Sequence, residues 1–303
     1  MRKLIASGSL AFLSVTLSCS EAGQPTATDA HHHTAVANIV NNNLDLEGLP
    51  DLTVRGEITS QQWLVRDEDV SALCSAIEGG VTPGNHRLLR MTVMTPNIGD
   101  ADLYVGDPSE TFVNGDSPLY EFATCHAHYH FKNYALYELV KKNANGSEKV
   151  WRAAKRGFCM LDTDPNPAYM GEPARDQNFA NCGTLTSPGN QGVSHGWADT
   201  YRWYLGGQYF ILDDNGGTQD PVPPGDYLIR ITVNPAYTVS GDCPLATEST
   251  AKGGKSVCHN FKESDYSNNV AVVPVRIPDR VGKSGYGPAV GQAETTNDPK
   301  YVR

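Results

Sequence analysis

Short apolar and β-branched runs alternate along this chain with clusters of Gly, Pro, Asn and Asp. The runs are HRLLRMTVM (86–94), ADLYVG (101–106), HYHFKNYALYELV (128–140), KVWRAAKRGFCML (149–161), GQYFILD (207–213), GDYLIRITVNP (225–235) and NNVAVVPVRI (268–277). Short runs of this type, separated by turn residues, are the signature of antiparallel strands. There is no long amphipathic helix pattern and no internal repeat. The pattern predicts a mostly-β protein: an antiparallel, sandwich-like domain over residues 46–279, with long loops and few short helices.

The ends break the pattern. Residues 1–19, MRKLIASGSLAFLSVTLSC, have two early basic residues, an apolar run from Leu10 to Leu17 and a terminal cysteine, which is the layout of an export signal. The apolar part is too short to span a bilayer as a helix. The Thr16-Leu17-Ser18-Cys19 ending resembles a bacterial lipoprotein signal and favours lipidation of Cys19, hence membrane anchorage of an exported, cell-envelope protein, over free secretion. Residues 20–45 are small and polar and read as a flexible linker. The run His31-His32-His33 within them is taken as incidental, because a tether gives a metal no fixed surrounding shell. The glycine-rich segment 280–303 is expected to lie outside the core as a flexible tail.

Composition adds limits. With 303 residues, 39% of them hydrophobic, the chain can bury a proper core. The formal charge of −10 makes nucleic acid an unfavourable partner. It would suit cationic substrates such as amines, although acidity often serves only solubility. Leaving out Cys19, six cysteines remain at 74, 125, 159, 182, 243 and 258, enough for three disulfides in an exported chain, with the connectivity open.

The candidate chemistry centres on CHAHYH (125–130). On a strand, alternate residues share a face, so His126, His128 and His130 would point the same way. Three imidazoles suit a borderline divalent ion such as copper or zinc. A plain surface strand or a structural zinc site would give the same pattern. Cys125 could serve as a fourth ligand, but in an oxidising compartment a disulfide is the better assignment.

The surrounding segments, AAKRGFCMLDT, GVSHGWADTY, ITVNPAYTV and ESDYSNN, with GLPDL and HRLLRM upstream, together resemble the catalytic domain of the lysyl oxidase family over residues 48–277. The resemblance implies one copper on His126, His128 and His130. It also implies lysine tyrosylquinone, a cofactor made from the protein's own side chains, here Lys155 and Tyr201. The activity implied is oxidation of peptidyl lysine or other primary amines by molecular oxygen, giving an aldehyde, hydrogen peroxide and ammonia. Such chemistry needs an electron-rich phenol and an amine able to lose its proton. Asp199, two residues before Tyr201, is a candidate general base, with a turn or hydrogen-bonding role as the alternative.

A structural calcium is implied as well, on Asp51, the Leu52 carbonyl, Glu263, Asp265, Asn268 and Asn269. Oxygen donors of this kind suit that ion. Family members pair the cysteines matching Cys125 and Cys182. Cys243 and Cys258 fall in an insertion and would close it on themselves, which leaves Cys74 for Cys159. The animal pair flanking the quinone tyrosine falls on Trp197 and Gly207, so that bridge is absent. Substrate choice could differ through the insertion and through His195-Gly196-Trp197. Two other readings stay open: a mononuclear copper or zinc protein without quinone, and a non-catalytic cell-surface β-sandwich.

Overall fold

The computed structural model describes residues 48–112, 117, 119–166, 176–240, 243, 250–252 and 255–293. The segments expected to be an export signal ending at Cys19 and a linker, residues 1–45, and residues 294–303 lie outside them. The described strands are β1 (Trp63–Asp69), β2 (Asn85–Met91), β3 (Val93–Pro96), β4 (Leu103–Gly106), β5 (Tyr120–Ala123), β6 (His128–Lys132), β7 (Ala135–Lys142), β8 (Glu148–Arg152), β9 (Gly157–Phe158), β10 (Asp164–Pro165), β11 (Gln191–Val193), β12 (Trp197–Tyr201), β13 (Tyr209–Ile211), β14 (Gly225–Val233), β15 (Tyr237–Ser240), β16 (Thr250–Lys252), β17 (Lys255–Cys258) and β18 (Val270–Ile277). Two short helices, α1 (Gly56–Gln61) and α2 (Cys74–Glu78), complete a mostly-β fold.

The strands form small antiparallel sheets, the largest in the order β18-β14-β7-β8. Its sequence explains its two faces. In β14, Tyr227, Ile229, Ile231 and Val233 are buried while the residues between them are not, and β18 buries Val273, Val275 and Ile277 while Val270 and Val272 stay exposed. Each large apolar side chain so buried contributes about 1.5–3 kcal/mol. The buried face belongs to a core that also holds Phe131, Tyr134, Phe158, Tyr201 and Phe261. Phe158 is its hub: the rings of Tyr134, Tyr137 and Tyr201 stand edge-on to it at 5.3, 5.7 and 5.4 Å. Such edge contacts add about 0.5–1.5 kcal/mol each and fix ring orientation.

Two sheets place the chemistry. In one, β6 lies between β5 and β9, with Ala123 opposite His128 and Phe131 opposite Phe158. In the other, β12 pairs with β3, Tyr201 opposite Val93 and Asp199 opposite Thr95.

The cysteine pairing corrects two expected bridges. Cys74 is bonded to Cys125 and Cys159 to Cys182, in place of Cys125–Cys182 and Cys74–Cys159, while Cys243 is bonded to Cys258. The tertiary packing gives the reason. The Gln191 side chain binds the Met160 amide and the Cys182 carbonyl together, which seats Cys182 beside Cys159. The turn after β5 meanwhile carries Cys125 toward α2, leaving Cα separations of 5.5 and 5.4 Å for the two bonds. Both are within bonding range.

The glycine-rich end is also not loose over its described part, contrary to the expected tail. Val65 and Tyr286 exchange backbone hydrogen bonds of 2.7 and 2.8 Å, Asp67 donates to Gly282, Ala289 donates to Trp63, and Ala289 is fully buried. The segment thus covers the free edge of β1, a place where an uncovered strand would invite association. Glycine is needed at 287, where φ is +132° and a Cβ would stand 2.6 Å from the Trp63 carbonyl oxygen.

Candidate metal and lysine–tyrosine centre

The three histidines do not share one straight strand. His128 and His130 lie on one face of β6, but His126 belongs to the turn before it, where Ala127 takes φ +55°. This bend does what a strand cannot. On a straight strand residues four apart would stand about 13 Å from one another, whereas the His126 and His130 ring centroids are 5.1 Å apart, with His126–His128 at 5.5 Å and the two strand residues His128–His130 at 4.9 Å. Tyr129 points the other way, 5.2 and 5.1 Å from the rings of Phe112 and Phe122, and so anchors the strand.

The Nε2 atoms of His128 and His130 are 3.1 Å apart. Two nitrogens each about 2 Å from one ion would be separated by about this distance. Burial first, then neighbouring positive charge, holds His128 down to about pKa 4 and His130 to about 2. Both rings are therefore neutral at neutral pH, with lone pairs ready for a metal. Glu78, at the end of α2, completes the cluster: its Oε2 is 2.6 Å from Nδ1 of His126, and ligand-type atoms of Glu78, His126 and His130 all lie within 4.8 Å of one another. The donor set fits copper or zinc.

Gly157 is what lets the neighbouring strand β9 approach. A Cβ there would stand 2.5 Å from Nδ1 and 2.6 Å from Cβ of His130. We expect Gly157→Ala to push the His130 ring aside and weaken zinc or copper binding by about 10-fold or more. Metal titration of the folded variant checks this, and unchanged affinity would refute it.

Lys155 lies in the loop between β8 and β9. Its Nζ sits 4.5 Å from the centroid of the Tyr201 ring and 5.1 Å from that of Phe158. The residue is half-buried, but its amine end is shielded from water. Burial lowers its pKa to about 7, against the opposing pull of the Glu78 charge. The Tyr201 hydroxyl donates to the Cys159 carbonyl oxygen at 2.7 Å, which fixes the ring in plane. An amine that loses its proton near neutrality, poised over a buried phenol, fits the requirements of a lysine–tyrosine cross-link. A narrow cleft reaches Lys155, lined among others by Glu78, Glu121, His126, His130, Lys155 and Gly207. Among the described residues, neither the segment 195–197 nor those of the insertion line it. Asp199 is fully buried on β12, on the same strand face as Tyr201, and its main-chain carbonyl accepts from Thr95.

The second oxygen-rich cluster joins the two ends of the domain. Glu263 accepts from the Leu52 amide at 2.7 Å with one oxygen, and from Asn234 and Asn269 at 2.8 and 2.7 Å with the other. Asn268 donates to Asp51 at 2.9 Å. The side-chain oxygens of Asn268 and Asn269 are buried without a hydrogen-bond partner. Burial raises Glu263 to about 7, and both burial and the Asp265 charge raise Asp51. Carboxylates short of positive charge beside unsatisfied oxygens fit a hard cation such as calcium.

Fold and site together define a mostly-β protein with a three-imidazole candidate metal centre beside a buried lysine–tyrosine pair. Comparison with known proteins agrees: the lysyl oxidase family model matches residues 68–244. Lysyl oxidase homolog 2 of Gallus gallus is 30% identical over 235 residues, covering 74% of this chain and 24% of that protein. Its Homo sapiens counterpart is 28% identical over the same coverage, and lysyl oxidase homolog 3B of Danio rerio is 28% identical over 226 residues. The chain belongs to the lysyl oxidase family. It spans about a quarter of the length of these curated relatives. They are vertebrate proteins, so a bacterial type rests on the Cys19 pattern alone.

Sequence reasoning did not find Glu78. It stands 48 residues before His126, and its only sequence signal is Cys74 one helical turn earlier.

Proposed function

We propose that this chain is an exported copper-dependent amine oxidase using a lysine tyrosylquinone built from Lys155 and Tyr201. The observation that carries this reading is the 4.5 Å approach of the Lys155 amine to the Tyr201 ring next to the imidazole cluster. Overall, a primary amine, oxygen and water would give an aldehyde, ammonia and hydrogen peroxide. Copper, when bound, supplies the redox partner for making the quinone, and the quinone supplies the electron sink for amine oxidation. His126, His128 and His130 would hold the ion. Phe158 keeps Tyr201 edge-on and Lys155 above it. The cleft that reaches Lys155 would be the route for an amine terminus. Asp199 shares a strand face with Tyr201 and stays the candidate for taking the substrate's α-proton, but it is fully buried and does not line the cleft, which favours its alternative hydrogen-bonding role. Three disulfides suit an oxidising, extracellular or cell-envelope setting. Among the described residues no helix is long and apolar enough to cross a membrane. Asp51, the Leu52 carbonyl, Glu263, Asp265, Asn268 and Asn269 would bind the structural calcium.

The test is to load the full chain with copper in air, stain for quinone redox activity and map peptides by mass spectrometry. A cross-link between the Lys155 and Tyr201 peptides, with hydrogen peroxide released from a primary amine, is expected. Bound copper with neither signal would leave a mononuclear copper or zinc protein. Absence of tight copper binding would leave a non-catalytic surface domain.

A further inference from the structure

Glu78 belongs to none of the motifs that carry the family resemblance, although it lies within the matched residues 68–244, and it touches the imidazole cluster. It ends α2, and Cys74 lies one turn back on the same face, bonded to Cys125. Residues four apart on a helix are neighbours, so this bond sets Glu78 against the next residue along, His126. One carboxylate oxygen then accepts from the Cys125 and His126 amides, the latter at 3.3 Å. The other is 2.6 Å from Nδ1 of His126. Two further contacts lock the end of the helix. Ser75 is hydrogen-bonded to the Tyr209 hydroxyl at 2.5 Å, and the Gly79 amide closes the last turn by donating to the Ser75 carbonyl oxygen at 2.9 Å.

We propose that Glu78 is the positioning residue of the metal centre, its carboxylate accepting the Nδ1 proton of His126 so that Nε2 of that ring is turned to the ion. The proposal rests on the metal-centre reading above. A metal-bound histidine needs a partner on its second nitrogen to fix its tautomer and orientation. His126 needs it most: it comes from a turn, whereas His128 and His130 are held by the β6 ladder. The carboxylate is already committed to three donors, which favours its acting through His126 over direct ligation.

The test uses zinc, which has no redox chemistry, so the readout is independent of quinone formation. Zinc affinity of the metal-free, disulfide-intact full chain is measured by competition with a chromophoric chelator. Glu78→Gln is expected to weaken zinc about 10–100-fold. In a His126→Ala background the same substitution should change nothing further, because its target is gone. Wild-type affinity in Glu78→Gln, or an undiminished loss in the His126→Ala background, overturns the role of Glu78 and leaves the metal centre standing. No zinc binding by the wild type removes the metal centre itself and this proposal with it. Far-UV circular dichroism and mapping of the three disulfides verify folding. Should Glu78→Gln not fold, Glu78→Asp, which keeps the charge and retracts it by one methylene, gives the same comparison. It is expected to lose at least several-fold in affinity, and wild-type affinity in that variant overturns the proposal.

Discussion

Lys155→Arg should give a folded, copper-binding protein with no cross-link, no quinone staining and no hydrogen peroxide release from amines. The geometry sets the expectation. The Lys155 amine is 4.5 Å from the Tyr201 ring centroid and has its pKa lowered to about 7 by burial. An ordinary lysine titrates near 10.4, so at neutral pH this one offers an uncharged nucleophile where an exposed lysine would not. Arginine keeps its charge at any working pH and cannot take that role. Tyr201→Phe should fail in the same way, because it removes the oxygen that a quinone needs while keeping the ring that packs on Phe158. Peptide mapping and staining of copper-loaded samples decide the matter; a cross-link or turnover in either variant would defeat the assignment. In the wild type, cross-link formation should speed up as pH rises through about 7, since the uncharged fraction of Lys155 grows above its pKa. A rate flat between pH 6 and 8 would contradict the assignment.

Calcium withdrawal should lower the melting temperature substantially without removing copper. The cluster at Glu263 ties Leu52 at the start of the domain to Asn268 and Asn269, just before β18. Two buried side-chain oxygens there have no partner, and Glu263 and Asp51 are crowded with negative charge and desolvated. An ion present at about 100–1,000 times its Kd would add about 3–4 kcal/mol. At about 2–4 °C per kcal/mol for a domain of this size, the melting temperature should fall by on the order of 6–15 °C. A calcium-selective chelator, followed by calcium re-addition in differential scanning calorimetry, measures this. A shift under about 2 °C would show that the cluster is only a hydrogen-bonded turn.

Much of the fold was legible because strand residues declare themselves locally. The runs 225–235 and 268–277 became β14 and β18, and their apolar alternation is the same one that buries Tyr227, Ile229, Val273 and Val275. HRLLRMTVM became β2 and β3. The described part of the tail was misread because glycine looks like freedom in a sequence. At Gly287 it instead permits close approach of the backbone to Trp63.

The site divides in the same way. Spacing pointed to three histidines, and the family likeness pointed to Lys155 and Tyr201. Neither showed that Ala127 turns the chain so that His126 meets its partners, nor that Gly157 clears room for His130.

The sequence by itself pointed to the strands of its strongest apolar runs, such as β2, β7, β14 and β18, though not to β1, β5 or β12, and to the residue types that carry the chemistry, since both signals depend on neighbours a few positions away. Only the tertiary structure decided that Cys74 bonds Cys125, that Cys159 bonds Cys182, and that Glu78 stands against His126. Four cysteines can pair in three ways, and a contact across 48 residues leaves no local pattern. Packing makes that choice, because only the folded chain fixes which side chains come within bonding distance.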